Sequence, residues 1–335
     1  MSKTVKWGIL GTAGIARKAI IPAIERAGNA EVVAVASSSD RKKAEEFGEL
    51  FDIPKRYGSY NELLEDDDIE AVYIPLPNNL HVTWVTKAAQ KGKHILCEKP
   101  AAITVEETIH MVEVCKQNNV LFMEAFMYQF HPQHQRVKEL IGNGEIGDVN
   151  FIRSTFSYSM DVVNEAQNIR LNPELGGGSL YDVGCYCIHA SRFILGKEPK
   201  RVFVSGDIPE NIGVDLTAAG LMTFEDGVTA SFSCSFQQPF ENQYTVIGTK
   251  GRIELPAAFR PDIHEGNGQI LITDQDGKTR EESIKGDQYA LQIEHFSDCV
   301  LEGKNPIYSA LETIANMKVL EACQKSLQQN ILMNV

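Results

Sequence analysis

Short apolar runs at Val5–Leu10, 31–36, Ala71–Ile74, His94–Cys97 and 120–124 alternate with amphipathic stretches at the start of this 335-residue chain. Runs of this length bounded by helical patterns read as buried strands. Regular strand–helix alternation folds into a parallel, doubly wound sheet, because each crossover helix returns the chain to run in the same direction. The pattern predicts at least six strands, with helices near 41–51, 60–65 and 82–90. Thr104 and Glu107 form a capping-box pattern that opens a further helix to Lys116. Pro22 interrupts the first helical pattern, so a kink or fresh start is expected there.

Beyond residue 125 the pattern changes. After a helix at 131–141, strands are expected at 149–158, 201–206, 215–224, 228–236, 243–247 and 252–255. Asp226-Gly227, Lys250-Gly251 and Asp276-Gly277 are tight-turn signals, which makes this sheet large, open and mostly antiparallel. Helices near 288–301 and 310–328 close the chain. The expected fold is α/β: a Rossmann-type domain over residues 1–125, then an α+β domain over 126–335 for substrate binding and oligomerisation.

The formal charge of −13 disfavours nucleic-acid or anionic-membrane partners, which reward basic surfaces. No apolar run reaches membrane-span length, and the polar start MSKTVKW does not read as a signal peptide. Seven scattered cysteines fit reduced thiols. A cytoplasmic protein without a membrane partner is expected.

Three segments carry candidate chemistry. The first is the turn after the first strand, Gly11, Thr12, Ala13, Gly14, Ile15 and Ala16. There Gly11 would make the bend, Ala13 would stand where a second glycine admits a pyrophosphate, and the helix N-terminus would face the phosphates. At the end of the second strand Ser37 takes the place of the acid that selects NAD, and Ser38, Ser39, Arg41 and Lys42 follow, so NADP is preferred over NAD. Asp40 opposes this preference unless it caps the following helix. The second segment is the strand-end KGKHILCEKP, which delivers Glu98 and Lys99 to the carboxyl edge where such sheets bind ligands. A partly desolvated lysine there can handle protons near neutrality; the alternative is an ordinary exposed pair. Pro75, Leu76, Asn78 and His81 line the neighbouring loop, suited to a wall under the nicotinamide or ribose, with His81 a polar helix-end residue rather than a catalytic one. The third segment is LGGGSLYDVGCYCIHASRFILG, where Asp182, Tyr186 and His189 recur on one helical stripe. Such a stripe could bind and deprotonate a diol, or be satisfied inside a buried helix. Cys185, Cys187 and His189 do not make a metal set, because residues two apart on a helix diverge.

GILGTAGIA, IPLPNNLH, GKHILCEKP, EAFMYQFHP and GGGSLYDVGCYCIH, in that order, resemble the glucose–fructose oxidoreductase/inositol dehydrogenase (Gfo/Idh/MocA) family, with the look of its dihydrodiol and NADP-dependent xylose dehydrogenase branch. The likeness covers roughly the first two thirds of the chain, and the strand-rich remainder fits the family's second domain. It implies a site between the two domains, a catalytic Lys99 often followed by a cis proline (here Pro100), and catalytic Asp182 and Tyr186. It also implies a substrate or cofactor-phosphate role for Arg170, although Arg170 could equally be a structural ion pair, and the helical stripe adds His189 to Asp182 and Tyr186 as substrate candidates. Two departures stand out: Gln129 occupies the place of a usual Arg, and Ser39 that of an Arg found in many NADP users. The activity implied is hydride transfer between nicotinamide and a secondary or anomeric alcohol of a sugar, polyol or cyclic diol, with Tyr186 and Lys99 as proton relay. Alternatives are an NADP(H)-binding sensor and nicotinamide-assisted glycoside cleavage. A homodimer or homotetramer through the second sheet is expected.

Overall fold

The computed structural model describes residues 3–38 and 40–335, and the chain forms two compact units. Unit one holds Met1–Met127 with Tyr289–Ile314, and unit two holds Tyr128–Gln288 with Ala315–Val335.

In unit one, β1 (Val5–Leu10) runs into a π-helical turn at Ala16–Ile20 and then α1 (Ile21–Arg26). Pro22 sits in the first turn of α1, where its missing N–H costs nothing. The expected restart is therefore present. There follow β2 (Ala30–Ala36), α2 (Arg41–Leu50), β3 (Lys55–Tyr57), α3 (Tyr60–Leu64), β4 (Ala71–Ile74), α4 (Asn78–Gln90), β5 (His94–Cys97), α5 (Val105–Gln117) and β6 (Phe122–Glu124). The six strands are parallel, in the order β3-β2-β1-β4-β5-β6. Because the order reverses between β1 and β4, the loops at their carboxyl ends diverge and leave a crevice. Thr104 and Glu107 form the capping box at α5. The apolar runs fill the core, with Trp7, Ile9, Val35, Tyr73 and Leu96 fully buried.

The boundary expected at residue 125 misplaces one segment. Trp7 Nε1 donates to Ser297 Oγ at 3.2 Å, and its ring lies 5.6 Å from that of Phe296, so α8 (Gln288–Glu302) packs on the first sheet. Asn29 adds a hydrogen bond to the Glu294 carbonyl. Only the apolar face of a helix is legible in a sequence, not which sheet covers it.

Unit two begins after β6 with α6 (Pro132–Gly142), β7 (Val149–Ser159) and α7 (Cys185–Leu195). Strands β8 (Arg201–Asp207), β9 (Thr217–Thr223), β10 (Thr229–Ser235), β11 (Gln237–Gly248), β12 (Gly251–Leu255), β13 (Asn267–Asp274) and β14 (Thr279–Lys285) follow. After α9 (Ala310–Gln329), β15 (Met333–Asn334) completes a nine-stranded sheet in the order β14-β13-β12-β11-β7-β10-β9-β8-β15. Every pair is antiparallel except β7 with β10. On β8 the residues Val202 and Val204 are buried while Phe203 is 37% exposed, so one face of the sheet's β8 end is open. Helix α7 covers the opposite face. A Cβ on Gly184 would stand 2.9 Å from Cys234 Sγ, so only glycine allows the helix to approach β10 this closely.

Candidate active site

Within unit one the candidate residues gather at the carboxyl edge. Gly11 follows β1 with φ +118°, a conformation glycine adopts freely, and its N–H donates to the Ala36 carbonyl. A Cβ there would come within 3.2 Å of Leu76 Cδ2, so the loop after β4 leans on the turn after β1. Thr12, Ala13 and Ile15 are half-buried, and the Ala13 carbonyl accepts the first helical bond from the Arg17 N–H. This turn with its helix start is the part of unit one that could hold a dinucleotide pyrophosphate. Ser37 is buried at the end of β2 and Ser38 is exposed, while Ser39 lies outside the described residues. Asp40 caps α2, its Oδ1 accepting from the Lys42 N–H at 2.9 Å. The carboxylate that argued for NAD is thereby engaged by its own helix, and the largely exposed Arg41 and Lys42 pair with Glu45 and Glu46 one turn on.

Pro75 and Leu76 leave β4, and Asn78 opens α4 four residues before the expected start, because Pro77 serves as its N-cap. The bond from Lys99 to Pro100 is cis. Glu98 Oε1 accepts a hydrogen bond from Tyr73 Oη, so this carboxylate is tied to β4. Lys99 is half-buried at the end of β5. His81 does not fit the cofactor-lining role expected of it. It is fully buried, with Nε2 2.8 Å from the Leu76 carbonyl oxygen and Nδ1 3.1 and 3.2 Å from those of Pro100 and Ala101. Burial pulls its pKa down to about 4.

In unit two, Gly178 and Ser179 lead into a π-helical turn at Leu180–Gly184 that continues as α7. Asp215, at the entry to β9, fastens this start: its Oδ2 accepts from Ser179 Oγ at 2.6 Å and from the Leu180 N–H at 2.7 Å. Asp182 Oδ2 accepts from Tyr158 Oη at 2.8 Å and from Arg170 Nε at 2.9 Å. Arg170 is thus an ion-pair partner of Asp182, and the carboxylate raises the guanidinium's pKa against the opposing effect of burial. Asp182 thus joins Tyr158 and Arg170 in one hydrogen-bonded group. Tyr186, 6% exposed, lies against an aromatic wall with ring centroids 5.2 Å from Phe156 and 5.6 Å from Phe259.

The stripe does not hold together as expected. His189 is turned inward, its Nδ1 2.6 Å from Tyr128 Oη and its ring stacked on Phe193, and burial holds its pKa well below the ordinary value. A side chain enclosed this way does not meet a substrate. The π turn at Leu180–Gly184 departs from the regular helix on which that stripe was drawn. Cys187 Sγ donates toward the Ser233 carbonyl and Cys185 Sγ toward that of Asp182. Gln129 is buried, and its amide nitrogen has no hydrogen-bond partner among the described residues. Tyr158 and Asp215 were not legible as site residues, because each lies in a strand-like stretch whose partners come from distant sequence.

A parallel sheet with a glycine turn at its switch point, joined to an open-sheet unit, defines the class of dinucleotide-binding oxidoreductases. Residues 5–126 match the model of an oxidoreductase family with an NAD-binding Rossmann fold, and residues 134–254 match the GFO/IDH/MocA C-terminal domain. The chain belongs to the GFO/IDH/MocA oxidoreductase family. It is 39% identical over 321 residues to D-xylose 1-dehydrogenase (NADP(+)) 2 of Haloferax volcanii, covering 96% of each chain. It is 33% identical over 318 residues to trans-1,2-dihydrobenzene-1,2-diol dehydrogenase of Xenopus laevis, covering 92% of this chain and 93% of the relative. Among solved structures, a 3-ketoreductase from Actinomadura kijaniata in complex with NADP and TDP-benzene superposes with a TM-score of 0.90 at 29% identity, covering 97% of this chain and 98% of that one.

Proposed function

We propose that the chain is a cytoplasmic, NADP(H)-dependent oxidoreductase that interconverts a secondary or anomeric alcohol of a sugar, polyol or cyclic diol with the corresponding carbonyl compound. The observation that carries this is the near-complete alignment with a sugar dehydrogenase named for NADP(+). Bound nicotinamide would supply the hydride acceptor or donor. Tyr186 takes the hydroxyl proton in the oxidative direction and returns it in the reductive one. An ordinary phenol ionises near pKa 10, and a nearby cation favours its phenolate by about 1.4 kcal/mol for each tenfold gain in acidity. Lys99 supplies that cation. Asp182, held by Tyr158 and Arg170, accepts a hydrogen bond from a second substrate hydroxyl. Its negative charge is offset by the guanidinium, so it does not oppose formation of the phenolate.

NADP preference rests on Arg41, Lys42 and the capping role of Asp40. Titration with NADPH and NADH, followed by nicotinamide absorbance against a panel beginning with D-xylose, tests the proposal. Tighter binding of NADPH with turnover supports it. Tighter binding of NADH contradicts the cofactor preference, and binding without turnover on any sugar or diol contradicts the activity. We also infer self-association through the open sheet face, where Phe203 and Leu221 are 37% and 49% exposed. A monomer by light scattering would contradict it.

A further inference from the structure

Two fully buried polar side chains converge on the two residues that follow Lys99. From α4, His81 faces the Pro100 and Ala101 carbonyls with Nδ1. From the end of β6, Glu124 Oε1 accepts the Ala101 N–H at 2.8 Å, and its Oε2 accepts from Tyr308 Oη at 3.2 Å. His81 and Glu124 are both 0% exposed, and Tyr308 is 3% exposed. A carboxylate in such a place is stable only while its hydrogen bonds are made, so the Ala101 amide and the Tyr308 hydroxyl fix where it stands. On its other nitrogen His81 meets the Leu76 carbonyl, and Leu76 leans on Gly11. Both ring nitrogens thus face carbonyl acceptors, and the neutral imidazole donates from one of them only, to the loop after β5 when the proton is on Nδ1. Lys99 immediately precedes Pro100, whose carbonyl His81 faces.

We propose that His81 and Glu124 are positioning residues for Lys99: they grip the backbone of Pro100 and Ala101 from opposite sides and so fix the direction in which the ammonium is presented. This rests on the part given to Lys99 in the proposed function. Neither residue meets the substrate. Tyr308, contributed by the segment Tyr289–Ile314, sets the Glu124 carboxylate in turn.

The test compares His81→Phe, Glu124→Gln and the milder Tyr308→Phe, which keeps the ring contact with Phe126 at 5.9 Å. Hydrogen exchange of the Ala101 amide is read without cofactor. Then kcat and KM are measured with NADP+ and the best substrate of a sugar panel, each replacement being made both in the wild-type chain and in Lys99→Met. Exchange at Ala101 is expected to quicken about tenfold or more in His81→Phe, and less in Tyr308→Phe and in Glu124→Gln, whose amide oxygen still accepts the Ala101 N–H. Turnover is expected to fall about tenfold or more with cofactor affinity nearly unchanged, since small displacements of a reacting group are costly. In Lys99→Met the same replacements are expected to cost less than about twofold, because their effect passes through Lys99. Unchanged exchange, or an equal loss of turnover in both backgrounds, would overturn the positioning role. Wild-type turnover by Lys99→Met alone would instead remove Lys99 from the reaction.

Discussion

At the residue scale, the site chemistry depends on side chains that the sequence shows and on partners that it hides. The roles proposed for Lys99, Asp182 and Tyr186 come from motif and spacing. Tyr158 is not legible in that way, because its link to Asp182 joins β7 to a helix start 24 residues on. Tyr158→Phe removes one hydroxyl from a charged acceptor, which costs about 1.5–3 kcal/mol. Urea unfolding should show that loss, and the KM for substrate should rise as Asp182 is left with Arg170. An unchanged KM would separate Asp182 from substrate binding. His81 and His189 teach the converse lesson: both read as polar candidates on helices, yet burial turns each toward groups from distant sequence, and only packing decides that.

At the element scale, most strands with apolar runs were legible and strands without them were not; β13, with Ile270–Ile272, was missed despite its apolar run and was signalled only by the Asp276-Gly277 turn after it. β1, β4 and β5 match their expected bounds. β3 has three half-buried residues, and most of β14 is exposed, so neither shows an apolar signal. β11 extends to Gln237 through an exposed stretch containing Pro239, which hides its first half. The start of α7 depends on Asp215, whose carboxylate accepts from Ser179 and Leu180 much as an N-cap would, although it is distant in sequence. Asp215→Ala should destabilise unit two by about 1–3 kcal/mol through the buried donors it abandons. Because that helix carries Tyr186, activity should fall with it. Chemical denaturation of the variant checks the first effect, and a midpoint within error of wild type would refute the anchoring role.

At the scale of the whole molecule, buried neutral histidines set the response to acid. Burial lowers His81 from 6.5 to about 4 and His134 from 6.5 to about 3, so below pH 6.5 the unfolded chain binds protons that the folded one refuses. Stability therefore falls as pH drops from 6.5 toward 4, by about 3 kcal/mol from His81 alone. Asp215, whose pKa burial raises, works the other way at the acid end, because its folded form takes up a proton first. Thermal melts from pH 7 to 4 should show the loss, and His134→Phe should flatten it if the fold accepts the ring. A melting temperature constant over that range would contradict the histidine account. Seven cysteines, all buried and none in a disulfide, make the same melts insensitive to mild reductant.

The most direct measurement is nicotinamide absorbance during turnover of a sugar or diol by the wild-type chain and by Tyr186→Phe, with cofactor affinity measured for both. A proton carrier in the transition state contributes about a hundredfold to ten-thousandfold, so Tyr186→Phe should lose at least two orders of magnitude in kcat. Its NADPH affinity should stay that of wild type. Full activity in Tyr186→Phe would contradict the assignment of the phenol as the group that moves the proton.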